Sequence, residues 1–91
     1  MTNTKIEIEW ESIARKKYDT LIAKIPLFHR EIAKQVVDKQ AVVNAQERSS
    51  DTVEEGDIVR AFFSEVPMTF YSLMIRLFNE VKFDYKSYEP K

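Results

Sequence analysis

The chain contains no cysteine, one glycine and three prolines among its 91 residues. Without cysteine it has no disulfide, no thiolate zinc site, no iron–sulfur cluster bound by thiolates and no cysteine nucleophile. A protein without disulfides is typical of the cytoplasm, which is where we expect this one. A β-sandwich or barrel needs many turns, so the scarcity of glycine and proline favours a few long helices.

An excess of charge of either sign is also missing. The 14 Lys and Arg nearly balance the 15 Asp and Glu, and the net charge is −1. This balance supplies no electrostatic footprint for nucleic acid, so we expect no nucleic-acid partner. The sequence has no run of about 18 apolar residues, which predicts no spanning helix and no membrane partner. Its first residues also lack the apolar segment of a signal peptide.

The sequence contains no motif that amounts to an active site. There is no glycine-rich phosphate loop, no H-x-x-x-H zinc pair and no G-x-S-x-G elbow. The only histidine, His29, would need a nucleophile or substrate group that the sequence does not supply, and a structural role at or near the surface suits it better. Three acids, Glu54, Glu55 and Asp57, are better explained by a helix N-terminus than by a metal site. We therefore expect no catalytic residue, no metal and no cofactor.

Helical periodicity and two of the prolines divide the chain into four helices. Pro26 disfavours an α conformation at Ile25 and is tolerated in a first helical turn, so it closes one helix and opens the next. Thr52 to Glu55 fits a capping box that begins the third helix. Pro67 separates the third helix from the fourth. The predicted helices run from about Glu9 to Lys24, from Pro26 or Leu27 to near Arg48, from Thr52 to the break at Pro67, and from about Met68 to Val81.

Each predicted helix has an apolar face that should meet a common core. Those of the first helix are Trp10, Ile13, Ala14, Tyr18, Leu21, Ile22 and Ile25. Those of the second are a main stripe of Phe28, Ile32, Val36 and Val43, which Ala33, Val37 and Ala41 widen. Those of the third and fourth are Val59, Phe62, Phe63 and Val66, and then Phe70, Leu73, Met74, Leu77, Phe78 and Val81. The fold class is therefore all-α, a small bundle of three to four helices with short Pro-marked corners.

The whole chain, residues 1–91, should form one domain, with residues 1–8 and 83–91 loosely ordered. The apolar face of the fourth helix is wide, because Tyr71 and Ile75 extend its margin. Such a face either closes the core or docks on a partner, and core closure is the better interpretation. If a protein partner or a second copy binds here, Tyr71 and Ile75 are the candidate contacts.

Three groups of residues resemble a known family. They are Trp10, Ala14 and Leu21, then Ile25-Pro26-x-Phe28-x-Arg30, then Val53 to Ala61. In this pattern, which spans about residues 10–62, the chain is similar to the C-terminal domain of the B subunit of light-independent protochlorophyllide reductase. That domain also occurs in short stand-alone bacterial proteins. The chain departs from the family at His29, where an apolar residue is usual, and at Asp38 to Ala41, where a glutamate before the alanine is replaced.

The resemblance implies a compact helical module attached to a large nitrogenase-like reductase, with a docking or accessory role and no catalysis of its own. Trp10, Pro26, Phe28 and Arg30 would be its hallmark residues, the first three forming core and corner. Arg30 lies near a helix N-terminus, where a cation is unfavourable, so it needs an acidic partner such as Glu7 or Glu11, or a docking surface. With His29 it is a candidate interaction residue.

Two functions follow from the sequence as expectations. The leading one is a non-enzymatic interaction or accessory module of a redox complex. The alternative is a small helical nucleic-acid-associated regulator, since two helices and a capped third loosely resemble a helix-turn-helix. Its weakness is charge, because acids lead the third helix and only Arg60 supplies a base there, so phosphate would repel it.

Overall fold

The computed structural model describes residues 8–89 and has four α-helices: α1 (Ser12–Lys24), α2 (Leu27–Glu47), α3 (Glu55–Glu65) and α4 (Tyr71–Val81). Two short parallel strands, β1 (Glu9–Trp10) and β2 (Thr52–Val53), pair with each other. Single 3₁₀ turns lie at Met68–Phe70 and Lys86–Tyr88. The predicted all-α bundle of four helices is confirmed; the prediction for residues 1–7 falls outside the described residues.

The first helix begins at Ser12, so the predicted start at Glu9 is wrong. Glu9 and Trp10 pair with β2 instead, and the Glu11 N–H donates to the Val53 carbonyl at 2.8 Å. The Glu11 carboxylate then caps α1 by accepting from the Ala14 N–H at 2.7 Å. Trp10 still reaches the core, because its ring stacks on Tyr18 with 5.4 Å between centroids.

The corner at Pro26 lies where the sequence predicts it. α1 ends at Lys24, α2 begins at Leu27, and Ile25 has the extended backbone that a following proline favours. The Pro26 carbonyl accepts the first hydrogen bonds of α2, from the His29 and Arg30 N–H groups at 2.9 and 3.1 Å. Proline therefore serves as the N-terminal cap residue of α2.

The chain ends α2 and α4 without glycine. Ser49 (φ 62°) and Lys82 (φ 67°) take the left-handed conformation in its place. After each, the next N–H donates to a carbonyl five residues earlier, as in a Schellman motif, and the Phe83 N–H reaches the Phe78 carbonyl at 2.9 Å. This turn carries Phe83 into the core, where it is 3% exposed. The expectation of a loosely ordered tail is therefore wrong at Phe83.

The third helix begins two or three residues later than predicted, and the Thr52 capping box is wrong. Thr52 lies in β2, where strand pairing takes its backbone. Glu54 is the residue before α3, and its N–H donates to the Asp57 carboxylate at 2.9 Å. A capping box is thus present two residues later than predicted: the side chain that reaches back to the cap residue is that of Asp57, and not that of Glu55.

The core lies between α1, α3, α4 and the second half of α2, and its α3–α4 side is rich in aromatic rings. Phe78 on α4 is fully buried, with ring centroids 5.5 Å from Phe62 and 5.6 Å from Phe63 on α3. The tail adds Phe83 and Tyr85, at 6.0 and 5.7 Å from Phe78. α4 thus closes the core with Met74, Leu77, Phe78 and Val81, as predicted, whereas Phe70, which was predicted on the same face, is 42% exposed.

The only glycine of the chain makes room for the C-terminal residues. A Cβ atom placed on Gly56 would lie 2.5 Å from the Tyr88 hydroxyl, closer than any side-chain contact allows. The glycine therefore lets the 3₁₀ turn that contains Tyr88 pack on the first turn of α3.

No single helix within residues 8–89 is both long enough and apolar enough to cross a membrane. Only α3 taken with residues 68–81 reaches that combination, as a pair bent by 120°.

Tyr18 links α1 to α2 through a buried phenol. The side chain is 0% exposed, and its hydroxyl donates to the Asp38 carboxylate, which Lys34 also contacts at 2.8 Å. Burial first, and then the hydrogen bond and the negative charge of Asp38, raise the pKa of Tyr18 far above its usual value. The phenol therefore stays protonated in the folded state at alkaline pH.

Tyr18 should make the fold sensitive to alkaline pH. Its stabilising contribution is complete below about pH 10, the ordinary tyrosine pKa. Above that pH the unfolded chain ionises Tyr18 and the folded chain does not, so the free energy of unfolding should fall by about 1.4 kcal/mol per pH unit. Urea unfolding from pH 9 to 11 should show this steeper loss in the wild type than in Tyr18→Phe. The other tyrosines remain in both proteins, so equal slopes would contradict the prediction.

Candidate functional site: an apolar groove

An apolar groove of about 410 Å³ opens between the first half of α2 and the corner that joins α3 to α4. Its floor includes Leu21 and Ile25 from the end of α1 and Phe62 from α3. The two walls face each other across this floor. They include His29, Ile32 and Val36 from α2, and Val66, Phe70, Leu73 and Leu77 from the α3–α4 corner and α4. We call this feature the α2–α4 groove.

The groove exists because α2 is longer than the helix it packs against. α2 has 21 residues and α3 has 11. The buried residues of α2 begin at Val37 and continue with Ala41, Asn44 and Ala45, whose small alanines let α3 approach. No residue from Leu27 to Val36 is buried. The first half of α2 therefore extends beyond α3 and forms a free wall.

The predicted main stripe of α2 is wrong for the same reason, whereas Val37 and Ala41, which were predicted to widen it, are buried. Phe28, Ile32 and Val36 are 91%, 65% and 36% exposed. The helix turns its Ala-containing face to the core instead, and these three larger side chains form an exposed ridge at i, i+4 and i+8 along the groove. We call this row the α2 ridge. Ile13 on α1, also predicted to be buried, is 60% exposed.

Large apolar side chains that face solvent are concentrated around this groove. Of the eight such residues between positions 8 and 89, six lie on the α2 wall or at the two proline corners. They are Leu27, Phe28, Ile32, Val36, Met68 and Phe70. Ile32, Val36 and Phe70 line the groove itself, and the other three lie next to lining residues or on the same helix. Exposed apolar residues concentrated in one region are typical of interaction surfaces, whereas scattered ones need no explanation.

His29 is the sequence-predicted site residue that lines the groove. Its ring lies 5.7 Å from Phe70 on the opposite wall and 6.4 Å from Phe28 beside it, between ring centroids. These aromatic neighbours give it a packing role that links the two proline corners. Its place on the surface agrees with the structural role predicted for it.

Arg30 stabilises the Pro26 corner through backbone carbonyls and does not pair with Glu11, and its docking role stays a prediction. Its guanidinium donates to the Ala23 carbonyl at 2.9 Å and to the Ile25 carbonyl at 3.0 and 3.2 Å. These are the free carbonyls at the negative end of α1, where a cation is favourable. Glu11 caps the other end of α1 instead of pairing with Arg30, and Glu7 lies outside the described residues.

Tyr71 and Ile75 lie on the margin of α4, as predicted, and both are half-buried. The Tyr71 hydroxyl donates to the Phe63 carbonyl at 2.6 Å, and the two rings pack edge to face at 5.3 Å. Neither residue lines the groove. Of the residues that line the groove, only His29 was among the predicted interaction residues. The exposed α2 ridge and the exposed Met68 were not predicted as interaction residues.

The acidic residues before and within α3 are paired with cations. Lys17 binds Glu55 at 2.7 Å and Arg48 binds Asp57 at 2.7 Å. No group of three or more His, Asp or Glu residues in the described part of the chain has an arrangement that could hold a metal ion. These contacts agree with the interpretation of the acids as structural.

Comparison with known proteins identifies no relative from which a function could be proposed. No family model, no curated protein and no solved structure matches the chain. The similarity to the reductase domain is therefore a hypothesis that depends on the sequence pattern within residues 10–62.

Proposed function

We propose that this chain is a non-catalytic protein-interaction module that docks a helix in the α2–α4 groove. The observation that supports it is the concentration of six exposed large apolar residues around one open apolar groove. Burying such side chains against a partner is favourable, at about 25 cal/mol per Å² of apolar surface. On the resemblance we further propose that the module is an accessory component of a nitrogenase-like or other redox complex, and on the absence of cysteine that it works in the cytoplasm.

The groove suits an amphipathic helix better than a small polar molecule. Its lining is almost wholly apolar, with Glu65 and His29 as the polar residues. A helix binds such a groove by placing apolar anchors at i, i+3 or i+4, and i+7 along one face. A polar substrate would need hydrogen-bond partners that converge in the groove, and this lining offers few.

Photo-crosslinking in the native cell tests the docking surface. Benzoylphenylalanine in place of Phe28 should crosslink to a defined protein species, because Phe28 is 91% exposed beside the groove. The same group in place of Ile13, also exposed but on α1 far from the groove, is the matched control and should give no such product. Adding Ile32→Glu should reduce the Phe28 crosslink at least tenfold, as loss of an interface anchor does.

A protein product that depends on Ile32 supports the docking role, whether the product is this chain or another. Equal crosslinking from positions 28 and 13, or no protein product from either, would overturn it.

A further inference from the structure

We propose that the helix docked in the α2–α4 groove is α2 of a second copy of this chain. The two copies would form a twofold dimer in which each α2 ridge (Phe28, Ile32 and Val36) lies in the partner's groove. This inference depends on the proposed function, because it names the occupant of the same groove.

The first argument is that the ridge and the groove lie side by side on one face. Ile32 and Val36 belong both to the ridge and to the wall of the groove, and Phe28 continues the ridge past the end of α1. In a twofold interface each copy contributes the same patch, so the patch must carry both a projecting part and a receiving part. The α2 face carries both.

The spacing of the ridge supplies the second argument. Residues four apart on a helix form a continuous ridge, and two ridges of this class interdigitate at an angle of about 50°, the commonest helix packing in globular proteins. Such packing needs the same kind of ridge on both helices. A second copy of α2 supplies it in a stretch of ten residues, 27–36, about 15 Å long.

The exposed area is the third argument. At about 200 Å² for a fully exposed large side chain, the ridge (Phe28, Ile32 and Val36) and Phe70 on the opposite wall present roughly 450 Å² of apolar surface per chain. A stable protein interface of standard size buries about 800 Å² on each partner, and about 57% of that, or roughly 450 Å², is apolar. With a net charge of −1, two copies also repel each other little.

Sedimentation equilibrium on the purified chain tests the proposal. Up to about 100 µM, a range that covers interfaces of this size, the wild type should show twice the chain mass of 10.8 kDa. Ile32→Glu should raise the dimer dissociation constant at least tenfold and leave the helical circular dichroism and melting of the monomer intact, because Ile32 is 65% exposed. Ile13→Glu, the matched change at an exposed isoleucine on α1, should leave the dimer unchanged.

The absence of cysteine allows a second measurement of the same interface. Two identical ridges that cross at their common midpoint bring the two copies of residue 32 together at the twofold axis. In Ile32→Cys, mild oxidation should therefore link two chains efficiently. Ile13→Cys should link them no faster than random collisions do. Faster linking at position 32 supports ridge-to-ridge contact, and equal rates would overturn it.

Failure of the dimer and failure of the docking role give different results. A wild type that stays monomeric overturns the second copy as occupant, and the docking role still stands if Phe28 crosslinks to another protein. A dimer that Ile32→Glu does not weaken uses another surface and also overturns the inference. Binding of the monomer to lipid vesicles through Phe28 and Ile32 would overturn both proposals.

Discussion

Replacing Phe78 with alanine is expected to lower the free energy of unfolding by about 3–5 kcal/mol, the range for a buried phenylalanine. Phe78 is fully buried and its ring contacts four others, two from α3 and two from the C-terminal residues. Truncation would leave a cavity where α3, α4 and the C-terminal residues meet. Native proteins have about 5–15 kcal/mol in total, so the variant should lose a large share of its stability and unfold at a clearly lower urea concentration and temperature. Circular dichroism during urea or thermal unfolding measures the loss.

Two matched variants separate the cavity from the residue type. Phe28→Ala removes the same atoms from a side chain that is 91% exposed, so at concentrations where both proteins are monomeric it should change the free energy of unfolding by less than about 0.5 kcal/mol. Phe78→Leu keeps most of the volume and should cost about 1.5 kcal/mol or less while the protein stays folded. Similar losses for Phe28→Ala and Phe78→Ala would show that α4 does not close the core.

The bundle and its corners follow from local sequence signals. Pro26 and Pro67 end helices through steric restrictions that do not depend on the rest of the fold. The stripe of α4 has one strongly apolar side, so Met74, Leu77 and Phe78 are buried as predicted. Features of this kind can be predicted because neighbouring residues alone determine them.

The predicted helix starts are wrong where residues far apart in the sequence determine the secondary structure. β1 exists because β2 offers hydrogen bonds to Glu9 and Glu11 from more than 40 positions away, which overrides the helical spacing of Trp10 with α1. The N-terminus of α3 moves for the same reason, since pairing takes Thr52 into a strand. A reading of local spacing contains no information on such pairing.

The groove was missed because α2 carries two apolar stripes. One stripe, the more hydrophobic one, consists of Phe28, Ile32 and Val36. Because the more hydrophobic face of a helix is usually buried, the sequence predicts that this stripe faces the core. The structure buries Val37, Ala41 and Ala45, because small residues allow α3 to lie close. Two alanines four positions apart were the available signal for a close helix contact, and they leave the bulkier stripe for another surface.

Arg48→Met is expected to lower the free energy of unfolding by about 3 kcal/mol, through the carboxylate that it leaves behind. Asp57 is 2% exposed, and Arg48 holds both its oxygens, at 2.9 and 2.7 Å. Removal of one partner from a buried ion pair typically costs about 3–5 kcal/mol. The lower value applies because the Arg48 side chain is 40% exposed and water already screens it. Arg48 also donates to the Thr52 carbonyl at 3.1 Å, so β2 should loosen as well.

A double-mutant cycle measures whether the buried charge is the cause. Asp57→Asn keeps the shape and can still accept the Glu54 N–H, so Arg48→Met with Asp57→Asn should be more stable than Arg48→Met alone. Arg15→Met is the matched control, because its Asp19 partner is half exposed and such pairs contribute under about 1 kcal/mol. If the changes in the free energy of unfolding for the two substitutions simply add, the two side chains are not coupled. The loss in Arg48→Met would then come from the packing of Arg48, and not from an unpaired charge on Asp57. The expected coupling instead makes this ion pair, together with the Asn44 amide that donates to the Asp57 carbonyl at 2.9 Å, the polar link that fixes α3 on the second half of α2. By fixing that half, the link also determines that the first half, with the α2 ridge, stays clear of α3.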